Sequence, residues 1–293
     1  MENRTGASRS LSGKVTIVTG ANSGMGKEIA LALAGMEATL VMVCRDRERG
    51  EAARHDVMAA TGNQQVELLT ADLSSQQSIR RLAQEFATRH RRLDVLVNNA
   101  GVSLPKRSET TDGIETTFAT NHLAPFLLTN LLRPVLIASA PARVVTVSSG
   151  VQAMGKIDFE DLQGAKSYSE IRAYNQSKLA NLLFTYELAR RLKGTGVTAN
   201  ALEPGFVKTN LKVPFPFSFF SFMRGKASEG AKPTVFLASS PEVEGISGAF
   251  FNNKSVATQS SKLSYDEDVA SRLWQVSAEL THLVAADKPA NGV

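Results

Sequence analysis

Cysteine is almost absent from this sequence. A single residue, Cys44, excludes an intramolecular disulfide and any metal cluster built on cysteine. It also makes a reducing, cytoplasmic setting the simplest expectation. Long apolar runs are missing too: no stretch reaches the ~18 residues that a membrane-spanning helix needs. The first twelve residues are polar and small, without the apolar stretch of a signal peptide, and read as a disordered leader. There is no zinc-ligand spacing, and no basic stretch interleaved with aromatics of the kind that RNA-binding modules use. No internal repeat and no linker divides the chain. Residues 13–285 therefore read as one domain, with 286–293 a frayed tail. Apolar residues are plentiful, at 43%, enough for the core of one large α/β domain. The net charge is +5 and the pI about 9.3. That balance suits a phosphate-bearing ligand as well as a nucleic acid or a membrane surface. The basic residues are scattered, with local clusters at Arg45–Arg49 and Arg89–Arg92, which points away from nucleic acid.

The β-branched run Lys14–Thr19 predicts a buried strand. Gly20-Ala21-Asn22-Ser23-Gly24-Met25-Gly26 follows, and then a stretch of strong helix formers, 27–34. Strand, glycine-rich turn and helix aim backbone N–H groups and a helix N-terminus at a phosphate. The second strand, Ala38–Val43, runs into Cys44-Arg45-Asp46. In a nucleotide-binding unit a carboxylate at that place accepts from a ribose 2′-hydroxyl, whereas an Arg accommodates a 2′-phosphate. Arg45 comes first, so NADP(H) is expected over NAD(H); the competing reading makes Asp46 the ribose acid and Arg45 mere surface. Strands are further predicted at 66–70, 93–97, 143–147, 197–202 and 248–251. Helices are predicted at 46–60, from Ser74 or Ser75 to about His90, over 112–140, from the segment around Tyr174 to about Lys193, over 228–238 and over 266–280. Asp72, at a strand end, can reach an adenine amino group or simply cap its turn.

Within the 112–140 helix, Asn121 is followed four residues on by Pro125, which predicts a disturbed hydrogen-bond ladder and an exposed carbonyl able to hold water. His122 beside it reads as a satisfied structural histidine. Ser148 and Ser149 close the fifth strand, where α/β sheets bind ligands. Tyr174 stands four residues before Lys178, on one helix face. Of the four tyrosines it alone has Lys at that spacing. An ammonium beside a phenol favours the charged phenolate and lowers its pKa, giving an acid/base near neutral pH. Alone, the spacing is more often a solvated helix face. From Val213 to Met223 runs a segment with five of the fourteen Phe and two Pro; it reads as an apolar lid over a substrate pocket, or else as a peripheral membrane or subunit contact.

Taken in order, Thr19-Gly20-x-x-x-Gly24-x-Gly26, Asn98-Asn99-Ala100-Gly101, Ser149, Tyr174-x-x-x-Lys178 and Pro204-Gly205 resemble a classical short-chain dehydrogenase/reductase over about residues 11–251. Cys44-Arg45-Asp46, Ser177-Lys178-Leu179-Ala180-Asn181 and the long gap from Ser149 to Tyr174 resemble its retinol dehydrogenase-like branch. The resemblance implies a doubly wound parallel α/β sheet, a Rossmann fold, in a single domain. It implies Tyr174 as general acid/base and Lys178 as the residue that lowers its pKa and binds the nicotinamide ribose. Ser149 would hold the substrate oxygen, with Ser148 a competing choice, and Asn121 would stabilise a relay water. Gly20, Asn22, Ser23, Gly24, Met25 and Gly26 would form the pyrophosphate turn, and Arg45 would meet the 2′-phosphate. Asp72 and Asn99 would lie on the adenine side and Val207 and Thr209 near the nicotinamide carboxamide, with Leu73, Ala100, Gly101, Pro204 and Gly205 also binding the cofactor. The expected activity is NADP(H)-dependent interconversion of a carbonyl and an alcohol on a rather apolar substrate, without a metal. Alternatives are an epimerase or dehydratase of the extended branch, a non-catalytic NADP-binding regulator, and a Rossmann-like methyltransferase.

Overall fold

The computed structural model describes residues 10–205 and 226–283. The strands are β1 (Val15–Thr19), β2 (Thr39–Cys44), β3 (Val66–Thr70), β4 (Val95–Asn98), β5 (Ala142–Val147), β6 (Val197–Leu202), β7 (Phe250–Phe251) and β8 (Ala257–Thr258). They form one sheet in the order β3-β2-β1-β4-β5-β6-β7-β8, parallel except for the last pair. The order reverses between β1 and β4, which is where doubly wound sheets bind ligands at their carboxyl ends. The strands are nearly continuous apolar runs because both faces are covered. The short edge strand β8 lies in what the sequence reads as a polar segment: both its residues are exposed and carry no apolar pattern.

The helices are α1 (Gly24–Gly35), α2 (Arg47–Thr61), α3 (Gln76–Arg89), α4 (Thr116–Phe118), α5 (Ala124–Ala138), α6 (Glu170–Arg191), α7 (Ala227–Ser239) and α8 (Glu267–Leu280). On one face α1 packs between α2 and α7. On the other α3 packs on α5, and α6 on α8. Each interface is built from buried apolar side chains: Ile29, Leu33 and Met42 on the first, and Leu82, Phe86, Phe126 and Leu188 on the second. Local signals set the ends. The Ser75 hydroxyl caps α3 by accepting from Ser78 N, and Gly62, with φ 73°, closes α2. Leu11 is buried and its N–H donates to Met36 O at 2.6 Å. The domain thus takes in a residue that polarity alone assigns to a leader.

No helix among the described residues is long and apolar enough to cross a membrane. The Phe-rich run, Val207 and Thr209 lie outside the described residues.

Candidate active site

The glycine-rich turn after β1 depends on its glycines for two different reasons. Gly20 and Gly24 have φ of 68° and 52°, in the left-handed region. Gly26 is fixed by close approach: a Cβ there would fall 2.1 Å from Gly20 O and 2.7 Å from Asn99 Nδ2. Helix α1 is thereby pressed onto the end of β1, with its first amides at the carboxyl edge of the sheet. Thr19 ties this turn to β4. Its Oγ1 accepts from Asn99 N at 2.9 Å and Ala100 N at 3.1 Å. The Asn99 side chain donates to Thr19 O at 2.8 Å. Asn99 therefore joins two loops with its amide, where the sequence reading turned it towards adenine. Met25 is likewise a core side chain, offering the site only its backbone. The amides of Ala21 and Asn22 hydrogen-bond the Cys44 thiol, whose pKa burial pushes up to about 11. Cys44 is thus a buried packing residue.

At the end of β2, Arg45 is exposed. The Asp46 carboxylate accepts from Arg49 N at 3.0 Å and caps α2. It serves the helix, which weakens its claim as a ribose ligand. Asp72 accepts from Ser74 N at 2.9 Å and from Ser74 Oγ at 2.7 Å, so one oxygen closes its own turn. Leu73 packs partly buried against the core beside it.

Deeper in the cleft, the disturbed ladder expected at Asn121 is a π turn over Ala119–Leu123, between α4 and α5. Such turns widen the helix and recur at functional sites. Asn121 Oδ1 accepts from Val102 N at 2.7 Å, and its Nδ2 donates to Val102 O at 2.9 Å and to Ser177 Oγ at 3.0 Å. Ser177 in turn donates to Tyr174 O at 2.7 Å. Asn121 is thus locked to the loop after β4 and to α6 at once. The sequence reading missed Ser177 as this bridge, because its signal is only a small polar residue one turn beyond Tyr174. His122 is buried, Nε2 lies 2.9 Å from Ser277 Oγ, and burial pushes its pKa down to about 3, as befits a structural histidine.

Lys178 is 4% exposed and its Nζ donates to Val147 O at 3.0 Å. A Cβ on Gly101 would lie 3.3 Å from Asn121 Oδ1 and 3.7 Å from Lys178 Nζ. Gly101 therefore leaves a small polar space between the amide and the ammonium. Tyr174 places its ring 5.5 Å from the ammonium. The expected lowering of the phenol pKa is not found in the protein alone. Burial pushes Tyr174 up to about 12 and pushes Lys178 down to about 8. Desolvation outweighs attraction here because Lys178 turns its ammonium to the β5 carbonyl.

The two serines after β5 are distinguished by their partners. Ser148 is buried and donates to Lys178 O at 2.8 Å, anchoring α6. Ser149 is partly exposed, and its Oγ makes one long contact, accepting from Val151 N at 3.4 Å. Among the described residues its hydroxyl proton has no acceptor. After β6, Gly205 has φ 74° and turns the chain past Asn253, so that Pro204-Gly205 sits beside the same edge. No group of metal-ligating side chains occurs among the described residues. A separate cleft of about 870 Å³, lined by Lys14, Arg143, Val197 and Gly248, opens at the amino ends of the strands, away from all of these groups.

The profile of the short chain dehydrogenase family matches residues 14–216. Retinol dehydrogenase 12 of Mus musculus is 45% identical over 273 residues, covering 92% of this chain and 86% of its own. Retinol dehydrogenase 11 of Homo sapiens is 45% identical over 278 residues, covering 93% and 87%. This chain is a short-chain dehydrogenase of the retinol dehydrogenase-like branch. Among solved structures, the dehydrogenase is similar to an uncharacterized protein from Mycobacterium paratuberculosis, with TM-score 0.79, 36% identity, and 94% of this chain and 96% of that one covered. It is also similar to the Pseudomonas aeruginosa RhlG/NADP active-site complex, with TM-score 0.67 and 27% identity, covering 83% and 95%.

The family implies a nicotinamide dinucleotide, and the residues present fit one. The crowded turn at Gly20–Gly26 offers helix amides to a pyrophosphate, and the space at Gly101 would be closed by any side chain.

Proposed function

We propose that this dehydrogenase interconverts a carbonyl and an alcohol on a rather apolar substrate, with NADP(H) as cofactor. What supports this most is the convergence at Gly101, where Asn121 Oδ1 and Lys178 Nζ face one polar space a helical turn below Tyr174. A non-catalytic NADP-binding regulator would have no need of Tyr174 beside that site.

The dinucleotide, when bound, supplies the hydride. The residues of the chain do the rest. Reduction of a carbonyl puts negative charge on its oxygen, and donors already in place stabilise that charge best. Ser149 is the hydroxyl left open for this, since Ser148 is spent on Lys178 O. Tyr174 gives the proton. With its pKa pushed up to about 12, the phenol is protonated at neutral pH, a ready acid and a poor base. Carbonyl reduction consumes a proton and alcohol oxidation releases one, so alcohol oxidation should rise as pH rises. Lys178 and Asn121 hold the proton route behind Tyr174, and Lys178 is also placed for the nicotinamide ribose. Asp72 would serve the adenine side of such a cofactor, and Leu73, Ala100, Gly101, Pro204 and Gly205 would contact it as well. A cytoplasmic setting belongs to the same proposal.

The two serines make a sharp comparison. Ser149→Ala should lower kcat by about 10²–10³, the cost of one lost oxyanion donor. Ser148→Ala should instead lower the melting temperature, with a smaller effect on kcat. Steady-state rates and thermal melts of both variants check this; equal kcat losses would contradict the assignment.

The cofactor is tested at Arg45, exposed at the end of β2 with Asp46 occupied at the α2 cap. Arg45→Ala should weaken NADPH by about 10–100-fold, the worth of charge-assisted hydrogen bonds, and leave NADH nearly unchanged. Titration of both dinucleotides by fluorescence reads this out, and equal losses would refute the 2′-phosphate reading.

A further inference from the structure

The mechanism leaves Glu203 without a task. This residue directly follows β6, at the point where three strand ends meet. Its N–H donates to Phe251 O at 2.9 Å, and Ser148 N donates to Leu202 O at 2.8 Å. Residues two apart on an extended chain share a face. Ala201 packs with Leu182 and Tyr186 of α6. Glu203 is thereby directed to the α6 layer, which carries Tyr174 and Lys178. Its position within that layer is marked by Gly150, the residue after Ser149. A Cβ on Gly150 would fall 2.5 Å from Glu203 Oε2, so the carboxyl lies against the bare backbone there. Burial raises the Glu203 pKa. Among the described residues neither a cation nor a hydrogen-bond donor meets its side chain. A half-buried carboxyl in that position is costly unless something in the cleft donates to it.

We propose that Glu203 is a specificity-determining residue that accepts a hydrogen bond from a hydroxyl group carried by the substrate close to its reacting carbon. The proposal rests on the oxidoreductase reading above and narrows it: the substrate has an apolar body with one polar donor beside the carbonyl. The same carboxyl repels substrates that carry a carboxylate at that place.

The test uses three carbonyl compounds of one skeleton, acetophenone, 2-hydroxyacetophenone and benzoylformate, with NADPH and with NADH. The wild-type protein, E203Q and E203L are compared by kcat/KM, and thermal melts report folding. The wild type should prefer 2-hydroxyacetophenone over acetophenone by about tenfold or more, the worth of a hydrogen bond to a charged group. In E203L that ratio should collapse to about one, because Leu accepts nothing. E203Q, close in shape, should keep part of it through its amide oxygen. Both variants should use benzoylformate better relative to acetophenone than the wild type does. Ratios unchanged in both variants, or all three substrates losing rate by one common factor, would overturn the proposal and leave Glu203 a packing residue. A wild-type protein that turns over none of the three with either dinucleotide would overturn the oxidoreductase reading, and this proposal with it.

Discussion

Tyr174→Phe should lower kcat for carbonyl reduction by about 10²–10⁴, the usual worth of a positioned general acid, while leaving the NADPH dissociation constant within about twofold. The tyrosine lies on α6 with its ring 5.5 Å from the Lys178 ammonium, and Phe keeps that ring. What disappears is one phenolic proton. Its protonated form is strongly favoured by burial, so the wild-type reduction rate should stay nearly flat from pH 6 to 8 with respect to this group. Oxidation of an alcohol needs the phenolate and should climb over the same interval and beyond. Stopped-flow reduction and oxidation rates, with a cofactor-binding titration on each variant, separate the two contributions. Residual activity within tenfold of wild type would remove Tyr174 from the role of acid.

Lys178→Met should abolish turnover and at the same time raise the thermal stability of the protein. Lys178 is 4% exposed, and burial lowers its pKa from 10.5 to about 8. The sign follows from linkage. Between pH 8 and 10.5 the unfolded chain holds a proton at this site that the folded chain has released, so stability rises with pH across that window. Below it the buried charge costs the fold its full penalty, of order 3 kcal/mol. Met fills the same volume without charge, at the loss of one hydrogen bond to Val147 O. The melting temperature of Lys178→Met should therefore exceed that of wild type by several degrees at pH 7, and the gap should close as pH rises through 8 to 10.5. A penalty of that size is what a buried group serving chemistry rather than the fold would carry. A variant less stable than wild type at pH 7 would show that Lys178 is a structural tie.

Much of this was legible from residue patterns, and the reasons are specific. Alternation of β-branched runs with helix formers fixes the order of strands and helices, because each parallel strand is buried on both faces. The disturbed helix at Asn121 follows from Asn and Pro four residues apart, and it is a π turn. What favours Ser149 over Ser148 is one hydrogen bond, from Ser148 Oγ to Lys178 O across 30 residues, which no local pattern encodes. The same holds for Asn99. The resemblance gives it only an adenine-side position, whereas its side-chain amide also ties β4 to the end of β1. The phenol pKa is the instructive failure. Spacing brings Lys178 to the same helix face as Tyr174, but whether attraction or desolvation wins depends on where the ammonium turns, and it turns to the β5 carbonyl. Glu203 has no sequence signal either. It becomes notable only because the chain leaves β6 beside Gly150.

In the proposed reaction, hydride passes from NADPH to a substrate carbon at this site. Incubating the wild-type protein with NADPH bearing two deuterium atoms at C4 and an apolar aldehyde, and weighing the alcohol by mass spectrometry, tests it directly. Every product molecule should carry one deuterium on the carbinol carbon, and Tyr174→Phe should form none on the same timescale. NADPH consumed without deuterium in the alcohol, or no alcohol formed across a panel of aldehydes and ketones, would contradict it.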